Sequence, residues 1–231
     1  MFPIKDTIRA RKFSFVTWGI ILINVLAFLY ETSLSSSGLE QLISSYGLVP
    51  TNLSLVNPPS WFPLLSHMFL HGSWLHLLSN MWTLVIFGDN VEDRLGSGRF
   101  LLFYLTGGVV AGLLQVFLGT GPNIPSVGAS GAIAAVLGAY FLFFPRAKVL
   151  TFVPLIFIWF INIPAWIYLG FWFVSQLFSG LSAMALQSGA SAGGIAWWAH
   201  IGGFVFGLVM AIVLAGRNRF TKSPSAYSPT L

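Results

Sequence analysis

Every one of the 11 Lys and Arg residues falls in one of four short clusters: Lys5/Arg9/Arg11/Lys12, Arg94/Arg99, Arg146/Lys148 and Arg217/Arg219/Lys222. The intervals between them hold long apolar runs and no cation. Hydrophobic residues make up 56% of the 231 positions and charged residues only 7%, against roughly 25% charged in an ordinary soluble domain. A chain of this kind cannot keep its surface wet, so its solvent is largely lipid. Basic residues of a membrane protein collect on the cytoplasmic side. Placing all four clusters there requires an even number of crossings between each pair. Two per interval gives six transmembrane helices with both termini cytoplasmic. The net charge of +5 does not point to nucleic acid, because the cations flank apolar runs and form no basic stripe. The absence of cysteine excludes disulfides, iron–sulfur clusters and thiol catalysis.

The expected fold class is therefore an all-α polytopic membrane protein. A basic cytoplasmic N-terminus covers 1–12, a six-helix membrane domain covers 13–216, and a short cytoplasmic tail covers 217–231. The first span is Phe13 to Tyr30, an uncleaved helix and not a signal peptide, since no small-residue cleavage site follows it. A long external loop, 31–74, contains an amphipathic piece from Leu39 to Tyr46 and a Pro-rich stretch, with Trp61, Phe62 and Trp74 as interfacial anchors. The second span runs from Leu75 to Val91, the third from Phe100 to Leu118, and the fourth from Ser130 to Phe144, before Pro145. Two apolar runs follow, Val149–Ile161 and Pro164–Phe178, but parity allows one crossing. Val149–Ile161 is short and carries Pro154, so it is the run expected to be bent, re-entrant or interfacial. A Gly/Ser/Ala-rich external loop, Ser188 to Gly194, leads to the sixth span, Trp197 to Ala215.

This topology puts His67, His71, His76 and His200 all on the outer side. Asn80 lies four residues after His76, on the same helix face. Gly128 and Ser130 open the fourth span from outside. The 15 residues from Ser130 to Phe144 cover about 22 Å of a hydrocarbon core about 30 Å thick. Ser130 therefore lies below the outer boundary, in a hydrated pocket, because irregular backbone at that depth needs protein or water around it. Polar groups are costly in a bilayer, so their convergence at one depth reads as a functional site.

Small residues repeat every four positions at Ser130, Ala134 and Gly138 in the fourth span and at Ala199, Gly203, Gly207, Ala211 and Ala215 in the sixth. Such stripes let two membrane helices approach closely, which would bring His200 alongside Ser130, with Gly131 easing the contact. A serine becomes a nucleophile when an adjacent base takes its proton, and histidine is the usual base. His76, Asn80 and the backbone at the start of the fourth helix could meet the oxyanion of an acyl transfer. No acidic residue lies in an outer-half helix to complete a triad, so a Ser130–His200 dyad is the economical reading. His67 and His71 have metal-compatible spacing, but no Cys, Asp or Glu completes a typical set. No metal or other cofactor is expected. Glu92 and Arg94 are expected to form a structural cytoplasmic network.

These residues carry a family resemblance. The stretches His71-Gly72-Ser73-Trp74-Leu75-His76-Leu77-Leu78-Ser79-Asn80 and Phe87-Gly88-Asp89-Asn90-Val91-Glu92-Asp93-Arg94-Leu95-Gly96 come first. Gly128-Ala129-Ser130-Gly131 and Trp197-Trp198-Ala199-His200-Ile201-Gly202-Gly203 through Gly207 follow in order. The chain resembles a bacterial rhomboid intramembrane serine protease from about Gly47 to Ala215. The resemblance implies Ser130 as nucleophile, His200 as general base, and His76, Asn80 and Gly128 at the oxyanion site. His71, Trp198, Gly131, Gly203, Gly207, Glu92 and Arg94 would be structural or near-site residues. Two positions depart from the family pattern. Trp61 is followed by Phe62 where many relatives have Arg, and Ala134 stands where many have an aromatic against the catalytic histidine. The sequence names nothing else that orients His200.

The function expected is hydrolysis of peptide bonds in single-pass transmembrane substrates near the extracytoplasmic face, in the cell (plasma or inner) membrane. Its partners would be those substrates and the lipid bilayer, with no nucleic acid. The resemblance implies substrates with a small residue at the cut site and gating by the fifth helix with the Ser188–Gly194 loop. Two other readings are a catalytically inactive rhomboid-like protein that binds transmembrane helices, and a transporter with the pocket as vestibule. Both Ser130 and His200 speak against the first, and the apolar inner halves of the fourth and sixth spans against the second.

Overall fold

A computed structural model describes residues 1–119, 121, 123–154, 158–185 and 195–215. The Ser188–Gly194 loop, the Arg217/Arg219/Lys222 cluster and the tail 217–231 lie outside the described residues. The protein is a mostly helical polytopic membrane bundle. Its long helices are α1 (Phe15–Ser33), α4 (Trp74–Leu95), α5 (Ser97–Leu118), α6 (Ser130–Phe143), α7 (Ala165–Ala185) and α8 (Trp197–Ala215). Two shorter ones, α2 (Ser36–Tyr46) and α3 (Pro63–Ser66), lie in the segment between α1 and α4. By length and composition α1, α5, α7 and α8 can each cross a membrane. The other two long helices are special cases. α4 ends in the charged Asp89-Asn90-Val91-Glu92-Asp93-Arg94 turns, and α6 has only 14 residues.

The short helix is the centre of the molecule. Every residue from Gly131 to Tyr140 is buried, inside a ring formed by α4, α5, α7 and α8. A helix surrounded by protein need not match the bilayer thickness, so Ser130 can begin it below the membrane surface. Its tightest neighbour is α8, and the small-residue stripes explain why. A Cβ on Gly203 would overlap the carbonyl oxygen of Gly131, one on Gly207 that of Ala135, and one on Gly138 that of Phe204. The backbones of the two helices are in direct contact, the close approach expected from the sequence.

The described residues of the run Val149–Ile161 are β-strands and not a bent helix. Strands β2 (Lys148–Pro154) and β3 (Ile158–Pro164) pair antiparallel, and β1 (Phe2–Asp6) adds to the other edge of β2. This three-stranded sheet is an addition to the expected helices. It is fastened below α6: the Tyr140 hydroxyl and the Asn90 amide both donate to the Asp6 carboxylate, and the Trp82 indole N–H donates to the Pro3 carbonyl. Burial raises the Asp6 carboxyl to about 6, with the Tyr140 bond working against the rise.

Glu92 joins α4 to the start of α1 and to Ser97. Its buried carboxylate accepts from the backbone N–H groups of Val16 and Thr17 at 3.1 and 2.8 Å, from the Thr17 hydroxyl at 2.8 Å, and from the Ser97 hydroxyl at 2.6 Å. It thereby caps the start of α1 from a different helix, placing negative charge at the positive end of the helix dipole. Arg94 lies with its guanidinium 5.6 Å from the centre of the Phe143 ring.

The segment 31–74 is folded, not slack. Leu48 and Ser126 exchange backbone hydrogen bonds of 3.0 and 2.9 Å, and the Thr51 hydroxyl donates to Asn123. Met68 is fully buried against Gly108 of α5, while Leu48, Leu64 and His67 pack against Gly112. The segment therefore holds the loop that leads into Ser130. Of the expected anchors, Phe62 and Trp74 are exposed. Trp61 is half-buried, and its indole N–H donates to the Ser54 carbonyl at 2.8 Å.

Candidate active site

Ser130 is the first residue of α6 and His200 lies in the first turn of α8. Their side chains meet with Ser130 Oγ 2.8 Å from His200 Nε2. The other ring nitrogen, Nδ1, lies 2.8 Å from Oε1 of Gln176 on α7. Trp172, one turn earlier on α7, has its ring centre 5.8 Å from that of His200, and Trp197 stands edge-on at 6.3 Å. Ala134, fully buried and without a ring, packs against Gly203 of α8. Trp198 packs instead over Gly180 of α7.

The opposite wall comes from α4 and the segment before it. Ser73 caps α4, its hydroxyl accepting from the His76 N–H at 3.2 Å. The helix then presents His76 and, one turn on, Asn80. Gly128 is held by its own N–H, which donates to the His67 carbonyl at 2.9 Å. Its φ of +125° is a conformation that disfavours any side chain. A Cβ there would also stand 2.6 Å from the His76 ring and 3.7 Å from Asn80 Nδ2. The missing side chain is thus the floor of a small space walled by His76, Asn80 and the first turn of α6. As at any helix start, the leading N–H groups of α6 have no partner within the helix.

His71 aims Asn80. Asn80 Nδ2 donates to His71 Nε2 at 3.1 Å, and the backbone N–H of His71 is held by Glu31 of α1, 3.2 Å from each carboxylate oxygen. Burial, and then the nearness of His76, lower the His71 ring to about 3, so it is neutral and able to accept. His71 Nδ1 is buried with no partner among the described residues. His67 is turned elsewhere, with Nδ1 donating to the Pro63 carbonyl at 2.7 Å; burial lowers it to about 4. The two rings therefore serve separate partners despite their spacing. Behind Ser130 a water-sized cavity is lined by His67, Gln115, Ser126, Gly128 and Gly131. Gln115 of α5 accepts from the Ala199 N–H at 3.2 Å and so fixes the start of α8.

All five residues read from the sequence as catalytic or oxyanion-forming gather here, as do His71, Gly131 and Gly203. Gly207 stays one turn deeper in the α6–α8 contact, and Glu92 and Arg94 lie at the far end of α4. Gln176, Trp172, Gln115 and Glu31 were not read from the sequence as parts of the site. A usable signal existed for two of them, because Gln115 and Gln176 are isolated amides inside apolar helices, where a polar side chain needs a partner.

The family model described as "Rhomboid domain" matches residues 58–217, well over half of the chain. The chain belongs to the rhomboid family. Its rhomboid relatives include Rhomboid-like protein 11, chloroplastic, of Arabidopsis thaliana, 34% identical over 56% of this chain and 42% of that protein. Presenilin-associated rhomboid-like protein, mitochondrial, of Mus musculus is 30% identical over 63% of this chain and 36% of its own length. Rhomboid protease GluP of Bacillus subtilis is 36% identical over 53% of this chain and 23% of its own length. The chain thus spans less than half the length of each of these rhomboid proteins.

Proposed function

We propose that this rhomboid is a serine endopeptidase acting on transmembrane segments. The observation that carries the reading is the 2.8 Å contact between Ser130 Oγ and His200 Nε2. With Nδ1 protonated, Nε2 accepts the hydroxyl proton as Ser130 attacks the scissile carbonyl. His76 and Asn80 donate to the resulting oxyanion, joined by backbone N–H groups at the start of α6, while Gly128 leaves room for it. His200 then returns the proton to the leaving amine, and water, with His200 again as base, hydrolyses the acyl-enzyme. The dyad requires no cofactor or metal. The name of the Bacillus relative, a rhomboid protease, agrees with this chemistry.

The substrates proposed are single-pass membrane proteins entering from the bilayer and cut near the extracytoplasmic face. Six spans with cytoplasmic termini follow from the basic clusters, as does the outward-facing site. The relatives' names include a chloroplast, a mitochondrion and a bacterium, so they select no one membrane. The cell membrane is our proposal from the bacterial-type motif set. The test is incubation of the purified chain with a fluorophosphonate probe and a model transmembrane substrate. Labelling and cleavage should both vanish in Ser130→Ala, and cleavage should vanish in His200→Ala. A folded wild type that neither labels nor cleaves would instead support a helix-binding protein.

A further inference from the structure

We infer that Gln176 is the positioning residue of the site: it selects the imidazole tautomer in which His200 can act as a base. The inference rests on the peptidase reading for its kinetic consequence, but not for its geometry. Gln176 is buried in α7 with its Oε1 2.8 Å from His200 Nδ1. The direction of the amide is fixed by its other end. Gln176 Nε2 faces the Trp172 carbonyl at 3.3 Å and the Ser175 hydroxyl at 3.0 Å, and a carbonyl oxygen can only accept. The nitrogen must therefore point to Trp172 and the oxygen to His200. An amide oxygen also only accepts, so Nδ1 must carry the proton. A neutral imidazole protonated at Nδ1 is unprotonated at Nε2, and Nε2 is the atom that faces Ser130. One carbonyl on α7 thus determines, through two hydrogen bonds, which way the Ser130 proton can move.

The chemistry of the surroundings favours an amide for this task. A carboxylate would hold the same tautomer, but an ion among apolar helices carries a large desolvation cost. An amide supplies the acceptor without the charge. Trp172 completes the arrangement on the same helix: its ring lies beside His200, and its carbonyl fixes the amide. Together they hold the His200 ring from α7. The buried Gln176 amide is therefore a part of the catalytic geometry, carried by a helix that holds neither the nucleophile nor the base.

The test compares Gln176→Met, which keeps length and removes the acceptor, with Gln176→Glu, which keeps an acceptor oxygen. All are full-length proteins in the same detergent, with histidine ring nitrogens labelled with nitrogen-15. In wild type the His200 signals should be those of the Nδ1–H tautomer. Gln176→Met should give a mixture of tautomers, kcat should fall roughly 10²-fold, and KM should change by less than threefold. Gln176→Glu should restore the single tautomer and most of kcat. A folded Gln176→Met protein that keeps the single Nδ1–H tautomer overturns the inference, as does a wild type in which His200 is protonated at Nε2. If Gln176→Met does not fold, a Gln176→Glu protein that folds but loses the tautomer overturns it too. Should wild type lack peptidase activity, the tautomer measurement still decides the role of Gln176, and the peptidase reading alone fails.

Discussion

The sharpest local test is Gly128→Ala. The glycine has φ +125°, and an added Cβ would stand 2.6 Å from the His76 ring. Carbon–carbon contacts settle at about 3.5 Å or more, so the ring must retreat about 0.9 Å. Oxyanion donors act at about 2.7–3.1 Å; one displaced by that much lies at roughly 3.6–4.0 Å, beyond hydrogen-bond reach. Losing one such donor costs roughly 10²–10³ in kcat. The left-handed backbone adds strain of about 1–3 kcal/mol, which a thermal melt reads separately. The assay is cleavage of a transmembrane substrate in liposomes, with Gly72→Ala as control, since a Cβ at Gly72 meets nothing within 4 Å. We expect Gly72→Ala to match wild type, while Gly128→Ala loses kcat with little change in KM. A folded Gly128→Ala protein with kcat within threefold of wild type would refute the oxyanion assignment of this loop.

Asn80→Ala should lower turnover by roughly 10²–10³, and an unchanged rate would remove Asn80 from the mechanism. Gly203→Ala places a methyl on the Gly131 carbonyl, so α8 must separate from α6 beside the dyad; fluorophosphonate labelling should slow by roughly 10²-fold or more, and wild-type labelling would show that the contact is not limiting. His67 is lowered from 6.5 to about 4 by burial, so it stays neutral in the fold while the unfolded chain takes up a proton. Its stabilising contribution is complete above pH 6.5 and is lost as pH falls towards 4, to an extent of roughly 3 kcal/mol. Melts of His67→Gln should therefore depend less on pH than those of wild type between pH 6.5 and 4, and equal slopes would contradict this. Glu92→Ala leaves four donors without their acceptor and should cost roughly 3 kcal/mol or more in an unfolding titration.

The helices were legible because lipid imposes a simple code of apolar runs broken by cations, and the dyad was legible because the glycine and alanine stripes state which helices touch. The apolar run of the fifth span stops at Phe178, where Ser179-Gly180 interrupts it, but the helix runs on to Ala185. In the fold Gly180 instead receives Trp197, Trp198 and Ile201 of α8. The sheet was hidden for another reason. Along β2, Val149, Thr151 and Val153 are buried, while the alternate Leu150 and Phe152 are half-buried and also apolar. No polar alternation marks a strand apolar on both faces. The orientation of His200 was hidden because it depends on a tertiary contact. Gln176 is 24 residues away on another helix, and only packing brings the two together.

The pairing of β1 with β2 has a consequence for how the chain is made. Phe2 lies opposite Phe152, 150 residues later. At about 5–20 residues per second of synthesis, the first strand waits roughly 7–30 s for its partner. By then α1, α4, α5 and α6 have all been synthesised, and the two strands can meet only if both have stayed on one side of the bilayer. Any odd number of crossings, or one helix left out, would strand β1 on the wrong face. Pairing of β1 with β2 therefore requires that the helices between them return the chain to the side of the membrane on which it began.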